Sequence, residues 1–511
     1  MRDSLTRNAD SVFEVESLKV DIKKRSIRGG VITIAAQGAK FFLQIMSAAI
    51  LGRLLTPNDF GLVAMVTVVT GVILLLKDVG LSMATVQKED INHSQISTLF
   101  WVNVIAGIGI MLLTSVIAPT IALFYNEPRL VRITLVLAIV YVFSGLTVQH
   151  QALLRRQMRF GRLALIEILS MLGGIIAAVI SALYGAGYWA LILMQIVTAI
   201  VSMIGVWIAC GWRPGLPKRN SGVRPMLAFG SHFMGFNIVN YFARNLDSIL
   251  IGRYWGAQPL GLYAQAYKLL TLPLQQINAP ISGVTIPVLS RLQNEPERYR
   301  RYYIQAISLI ALVTMPMIMF MIIMSKDVIR IVLGEQWVQA GAIFAVLGIS
   351  GLIQPVINAN GWLYVSVGRT DRMFKWGIFS SVFTVLSFFI GLPYGAIGVA
   401  TSYTVVTLLL AFPCLWYAFR FSPVDILSVA KALWPTVAAT LIVGVALIFF
   451  KTMFPVLFAG VWGVVIGFGI TVGVFLSVLC GLVQSLKPIQ EIIALLSQIF
   501  PQKNLHKKDV N

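Results

Sequence analysis

Between Gly29 and Val483 the chain repeatedly holds apolar residues over stretches of eighteen or more positions. As a helix rising about 1.5 Å per residue, such a stretch crosses a hydrocarbon layer about 30 Å thick. The pattern predicts fourteen helical segments, at 29–52, 61–83, 98–124, 130–152, 164–184, 186–209, 227–252, 260–288, 303–325, 341–366, 374–391, 395–418, 430–450 and 455–483. The apolar runs are continuous instead of alternating with period two, which excludes a membrane β-barrel. Most connections are short and rich in turn residues, as at Thr56-Pro57-Asn58-Asp59 and Pro393-Tyr394-Gly395. The longest outward connection is 325–340, which is short for a catalytic domain. The expected fold is therefore an all-α polytopic membrane protein with about fourteen spans. Removing one hairpin would leave twelve with the same side-to-side pattern.

Composition supports this reading. The 511 residues are 58% hydrophobic and 12% charged, against about 25% charged in soluble domains; mean hydropathy is +0.83. The net charge of +20 would suit nucleic acid in a soluble protein, but its distribution points elsewhere. With the N-terminus cytoplasmic, 29 of the 40 Lys and Arg residues fall in cytoplasmic segments and seven on the other side. That bias is the positive-inside signature, and it predicts an inner-membrane protein with both termini in the cytoplasm. Segment 1–28 is charged and has no short apolar core of a signal peptide, so the first hydrophobic segment is expected to be retained. Residues 484–511 form a tail in which Ile489, Ile492, Ile493, Leu496 and Phe500 share one helical face, suited to lying on the membrane. Cys210, Cys414 and Cys480 suggest neither a disulfide framework nor a metal site.

Two stretches repeat at an offset of 200 residues. ILGRLLTPNDFGLVA at 50–64 matches LIGRYWGAQPLGLYA at 250–264, with Gly52/Gly252, Arg53/Arg253, Gly61/Gly261, Leu62/Leu262 and Ala64/Ala264 identical. Gly30/Gly230 and Phe42/Phe242 extend the match upstream. The copies begin six spans apart, so they have the same orientation in the membrane. The expected organisation is two pseudo-symmetric six-helix lobes, an N-lobe at 29–209 and a C-lobe at 227–418. A cytoplasmic linker at 210–226 joins them, and two further helices at 419–483 follow. In transporters, parallel repeats of this kind place the substrate site between lobes.

Each half carries a polar stripe. The first span holds Gln37, Lys40, Gln44 and Ser47; at the same offset the seventh holds Asn237, Asn240, Arg244 and Asp247. Spacings of three and four put each set on one helical face, which must turn inward because the bilayer core has no water. Lys268 lies inside the eighth span, and Asp78 near the end of the second beside Lys77. The expected cavity is lined by Gln37, Lys40, Gln44, Asn237, Asn240, Arg244 and Lys268. Lys40 and Lys268 have no partner evident in the sequence, and the balance of Lys40, Lys77, Arg244 and Lys268 against Asp78 and Asp247 suits an anion. An Arg244–Asp247 pair one turn apart is the architectural alternative. Pro119, Pro273, Pro280, Pro316 and Pro355 fall inside spans, where they can kink helices.

No catalytic or metal signature emerges: His93, His150, His232 and His506 lack carboxylate or cysteine partners at ligand spacing, and no phosphate-binding G-x-x-x-x-G-K-[ST] sequence occurs. Neither an enzyme nor a cofactor is expected. The stretch from Arg28 to Leu62, with Phe41-Phe42, ILGRLLTPNDFGLVA and then Asp78-Val79-Gly80-Leu81, resembles Wzx-type polysaccharide flippases. These belong to the polysaccharide transporter branch of the multidrug/oligosaccharidyl-lipid/polysaccharide (MOP) superfamily, and the resemblance is to the WzxC-like colanic acid and exopolysaccharide exporters. It extends through NLDSILIGRYWGAQPLGLYAQAYKLLTLP and Gly368-Arg369-Thr370.

The resemblance implies twelve core helices plus two, alternating access and an undecaprenyl-pyrophosphate-linked glycan as cargo. It also implies functional association with a polysaccharide polymerase and chain-length regulator. Basic cavity residues suit a phosphoryl group, and Asp78 and Asp247 are the candidates for coupling to an ion. Two other readings compete. A cation-coupled multidrug exporter of the MATE type predicts an acidic cavity, and a membrane glycosyltransferase, polymerase or ligase predicts a large periplasmic loop.

Overall fold

The computed structural model describes residues 22–75, 85, 91–217, 241 and 244–483. Asp78, Asn237, Asn240, the N-terminal segment before 22 and the amphipathic tail lie outside the described residues. Helices α1 (Ile22–Leu54), α2 (Pro57–Leu75), α3 (His93–Tyr125), α4 (Arg129–Arg156), α5 (Phe160–Leu183) and α6 (Trp189–Cys210) come first. Next are α7 (244–255), α8 (Ala257–Arg291), α9 (Pro296–Ile323) and the short α10 (Ser325–Leu333). The last are α11 (Val338–Ser366), α12 (Thr370–Gly391), α13 (Gly395–Phe419), α14 (Ile426–Met453) and α15 (Gly460–Val483). No strand occurs among the described residues. Nine described stretches are long and apolar enough to cross a membrane. Their outer faces are inside out for a soluble protein: Val116 is 76% exposed and Ile208 77%. Large apolar side chains in continuous exposed bands need hydrocarbon against them.

Local chemistry sets the helix ends. The Thr56-Pro57-Asn58-Asp59 turn is the reciprocal N-terminal cap of α2. Thr56 N and Oγ1 donate to Asp59 Oδ2 at 2.9 and 2.6 Å, and Asp59 N donates back to Thr56 Oγ1 at 3.3 Å. Proline at the first helical position loses no hydrogen bond there, so α2 starts four residues before the apolar pattern does. Asn92 and Gln95 cap α3 in the same reciprocal way. The predicted loop at 325–340 is itself mostly helical, as α10 followed by a 3-10 turn at Glu335–Trp337.

The chain forms two compact units. Unit 1 comprises Met1–Leu269, Val332–Ile343 and Phe379–Tyr403; unit 2 comprises Leu270–Ile331, Phe344–Ile378 and Thr404–Asn511. Within unit 1 the two copies of the repeat meet. A Cβ on Gly61 would overlap the carbonyl of Ala257, and a Cβ on Gly261 would overlap the carbonyl of Pro57. Pro57 and Ala257 are themselves 200 residues apart, so the contact is reciprocal, as a two-fold relation between the copies requires. Only glycine lets α2 and α8 approach this closely. The α1–α2 corner also receives the 3-10 turn. Trp337 is fully buried, its Nε1 donates to Gly52 O at 2.7 Å, and its ring meets Phe60 edge-on at 5.2 Å.

Unit 2 packs around Tyr299, Tyr303, Trp362 and Phe419. Two of its interior tyrosines are hydrogen-bonded: Tyr303 Oη donates to Asn360 Oδ1 (3.2 Å), and Tyr299 Oη shares a hydrogen with Ser366 Oγ (2.6 Å). Lys451 Nζ binds Asp327 Oδ2 at 2.7 Å and Ile323 O at 3.1 Å.

The glycine contact yields a test. Gly61→Leu or Gly261→Leu should cost at least the roughly 1–3 kcal/mol of core overpacking and sharply reduce monodisperse protein in detergent size exclusion. The exposed glycine Gly469, whose Cβ meets nothing within 4 Å, should tolerate Leu.

Candidate functional site

Unit 1 encloses a cavity of about 460 Å³ between α1, α4, α5, α6 and α8. Three helices line it with regularly spaced polar residues. From α1 come Gln44 and Ser47, from α4 Ser144, Thr147 and Gln151, and from α6 Gln195, Thr198 and Ser202. The sets on α4 and α6 follow the same spacing of three and then four, which holds each on one helical face. Phe143, Met171, Ile175 and Met194 supply apolar wall, and Lys268 of α8 is exposed into the space. No carboxylate stands among the described lining residues. Ser47 Oγ donates to Met194 Sδ at 3.9 Å, while Gln44 Oε1 is buried without a protein partner. An enclosure of amides, hydroxyls and apolar surface, with one ammonium group, can hold a polyhydroxylated ligand of negative charge.

Of the residues that the sequence assigned to one cavity, Gln44 and Lys268 line this one. Lys40 lies one turn before Gln44 on α1, but it is not unpartnered as the sequence suggested: its Nζ is 2.7 Å from Glu167 Oε2 of α5. Glu167 stands inside an apolar run, and the charge balance read from sequence omitted it, so the net cationic excess is smaller. Gln37, a further turn back, is exposed. Arg244 is exposed, whereas Asp247 is buried. Asp247 takes its hydrogen bonds from Tyr263 Oη (2.7 Å, to Oδ2) and Ser248 N (2.6 Å, to Oδ1). Both carboxylate oxygens are therefore engaged by neutral donors, which replaces the Arg244–Asp247 pair as the architectural arrangement at this carboxylate. Asn237, Asn240 and Asp78 lie outside the described residues.

Sequence reasoning missed the stripes on α4 and α6. Their spacing was visible, but hydroxyl residues are common in membrane helices because they bond back to their own helix. Thr147 Oγ1 donates to Ser144 O at 2.7 Å and Thr198 Oγ1 to Met194 O at 2.6 Å. His150 is fully buried and stacks on Trp207 at 4.5 Å.

Comparison with known proteins places this geometry. A profile described as "Polysaccharide biosynthesis protein" matches residues 50–342. The teichuronic acid biosynthesis protein TuaB of Bacillus subtilis (strain 168) is 28% identical over 389 residues, 76% of this chain and 80% of that one. The lipopolysaccharide biosynthesis protein WzxC of Escherichia coli (strain K12) is 25% identical over 397 residues, with coverages of 76% and 80%. Among solved structures, the lipid II flippase MurJ in an inward closed conformation superposes with a TM-score of 0.72 at 15% identity, over 90% of this chain and 99% of that one. An inward-facing MATE transporter of the MOP superfamily gives 0.59 at 14% identity, over 74% and 94%. These two likenesses establish the fold. With more than half its length matched by the profile, the chain belongs to the polysaccharide biosynthesis protein family.

Proposed function

We propose that this protein is a flippase that moves undecaprenyl-pyrophosphate-linked oligosaccharide units across the bacterial inner membrane for exopolysaccharide, capsule or lipopolysaccharide assembly. The observation that carries the proposal is the cavity, walled by amides, hydroxyls and Lys268 with no carboxylate among its described lining residues. Sugar hydroxyls pair with amide and hydroxyl groups, and a phosphoryl or uronate charge gains a charge-assisted donor. The relatives agree in kind: their names cite teichuronic acid biosynthesis, lipopolysaccharide biosynthesis and, for ExoT of Rhizobium meliloti (strain 1021), succinoglycan biosynthesis transport. The MATE reading would want an acidic cavity for cationic drugs, and the lining composition argues against it.

The proposal extends to topology and drive. Fourteen spans are read from the apolar pattern, and the placement of Lys and Arg supports an even number of them with both termini cytoplasmic. Two six-helix lobes, at 29–209 and 227–418, alternate access about the cavity, the repeat being their common origin. Gln37, Lys40, Gln44, Asn237, Asn240, Arg244 and Lys268 belong to the cargo path. Asp78 and Asp247 are the candidates for coupling to an ion gradient, and a polysaccharide polymerase and chain-length regulator act on the delivered units.

In proteoliposomes, the wild-type protein should expose an added lipid-linked oligosaccharide to an impermeant sugar-oxidising enzyme on the far leaflet. Lys268→Ala should slow that exposure about tenfold or more, in line with losing a charge-assisted bond, at unchanged protein level. Wild-type rates from Lys268→Ala would contradict the cavity's role. Ala199→Leu, which fills the cavity, should also slow transport while leaving the thermal midpoint within about 3 °C. Ala178→Leu, at a fully buried α5 position, should instead lower the midpoint by several degrees because it overpacks a closed contact.

A further inference from the structure

We propose that Lys40 and Glu167 form a charged latch across the α1–α5 end of the cavity, and that a phosphoryl anion opens it by taking Lys40 from Glu167. The inference rests on the flippase reading for its biological purpose but not for its geometry.

The latch continues the cavity wall on both helices. On α1, Lys40 precedes the lining residues Gln44 and Ser47 by four and seven positions; on α5, Glu167 precedes Met171 and Ile175 by four and eight. These spacings keep each charged residue on the face of its helix that lines the cavity, one turn or about 6 Å before the first lining residue. The two helices run in parallel. A Cβ on Gly161 would lie 3.6 Å from Ile32, Lys40 meets Glu167 at 2.7 Å, and the cavity residues follow on both chains in the same order. The pair therefore bridges α1 and α5 at the end of the cavity nearer their N-termini, the cytoplasmic end in the proposed topology.

Each charge has apolar residues on the opposite face of its helix. Phe42, two residues from Lys40 and so on the opposite side of α1, is 67% exposed; Leu165 and Leu169, two residues either side of Glu167, are 57% and 50% exposed. The apolar faces meet hydrocarbon, and the charged faces turn the other way, as a membrane interior requires. Yet the pair is not sealed: its side chains are 21% and 46% exposed. An ion pair this open is weak and offers an approaching anion direct access to Lys40. A pyrophosphate brings more charge and more acceptor oxygens than one carboxylate, so exchange is favourable. Glu167 is then an internal competitor. It holds Lys40 across the cavity end when no cargo is present and releases it only to an anion, so opening is tied to loading. The exposed Gln37, one turn before Lys40, adds a neutral donor on the side from which the anion arrives.

The test uses the full-length protein in nanodiscs with two probes that share one headgroup, inorganic pyrophosphate and farnesyl pyrophosphate, and measures affinity by titration calorimetry. Glu167→Gln should tighten binding about three- to fivefold, the range expected from removing a weak competing pair. Lys40→Ala should weaken it at least as much. The double variant should match Lys40→Ala alone, because Glu167 acts only through Lys40. Tightening for both probes assigns the site to the pyrophosphate group itself, and tightening for farnesyl pyrophosphate alone assigns it to a lipid headgroup. Unchanged or weaker binding of both probes by monodisperse Glu167→Gln overturns the latch, as does no binding to any variant. Glu167→Ala gives the same reading if the glutamine variant fails to accumulate. The outcome is independent of transport: the predicted order of affinities in a protein that moves no lipid-linked glycan would sink the flippase reading and leave the latch standing. Active transport with the wrong order would do the reverse.

Discussion

Hydrocarbon offers no partner to a polar group, and nearly everything about this chain follows from that constraint. Outward faces can carry Val116, Ile208 and their like, but each amide, hydroxyl and charge within a span must find another. Some do so locally, as Thr147 and Thr198 bond back to their own helices, while others reach across the fold: Asp247 takes Tyr263 as well as its neighbour Ser248, and Lys40 takes Glu167. Polar side chains from α1, α4, α6 and α8 also gather around the cavity. The cavity is thus where inward-facing polar side chains of several helices gather.

A second constraint is geometric. The reciprocal approach of Gly61 to Ala257 and of Gly261 to Pro57 fixes how the two copies of the repeat meet. The same corners receive other parts of unit 1: Gly52 O accepts from Trp337 at 2.7 Å, and Trp255 Nε1 donates to Leu392 O at 2.8 Å. The identities at Gly52/Gly252 and Gly61/Gly261 therefore preserve close approach at these corners. Under the proposed alternating access, such a close crossing would serve as a fixed point.

The helices were legible in sequence because long apolar runs leave few alternatives; their ends were less so. The start of α2 depends on the Thr56–Asp59 reciprocal cap, which lies upstream of the hydrophobic pattern, and the apolar residues of the 325–340 connection form no run long enough to span a membrane, although it folds as α10 and a 3-10 turn. At the site, the stripe on α1 could be read because Gln and Lys are rare in spans. The stripes on α4 and α6 were harder to read, since each sets a single glutamine, Gln151 or Gln195, among Ser and Thr residues that stand out little in a span. Glu167 was overlooked for a different reason. A lone acid on α5 has no meaning until folding brings it, 127 positions from Lys40, to the same cavity end.

The central claim is that water reaches the interior of unit 1 between these helices. It is tested most directly by replacing Cys210, Cys414 and Cys480, introducing single cysteines, and measuring reaction with a membrane-impermeant maleimide in native membranes. Thr198→Cys, Ser202→Cys and Lys268→Cys should react, more slowly when pyrophosphate is added, while Val116→Cys and Ile176→Cys on the lipid-facing side should not. If all three cavity positions stay as inert as Val116→Cys whichever membrane side is exposed, no aqueous cavity exists there and the account fails.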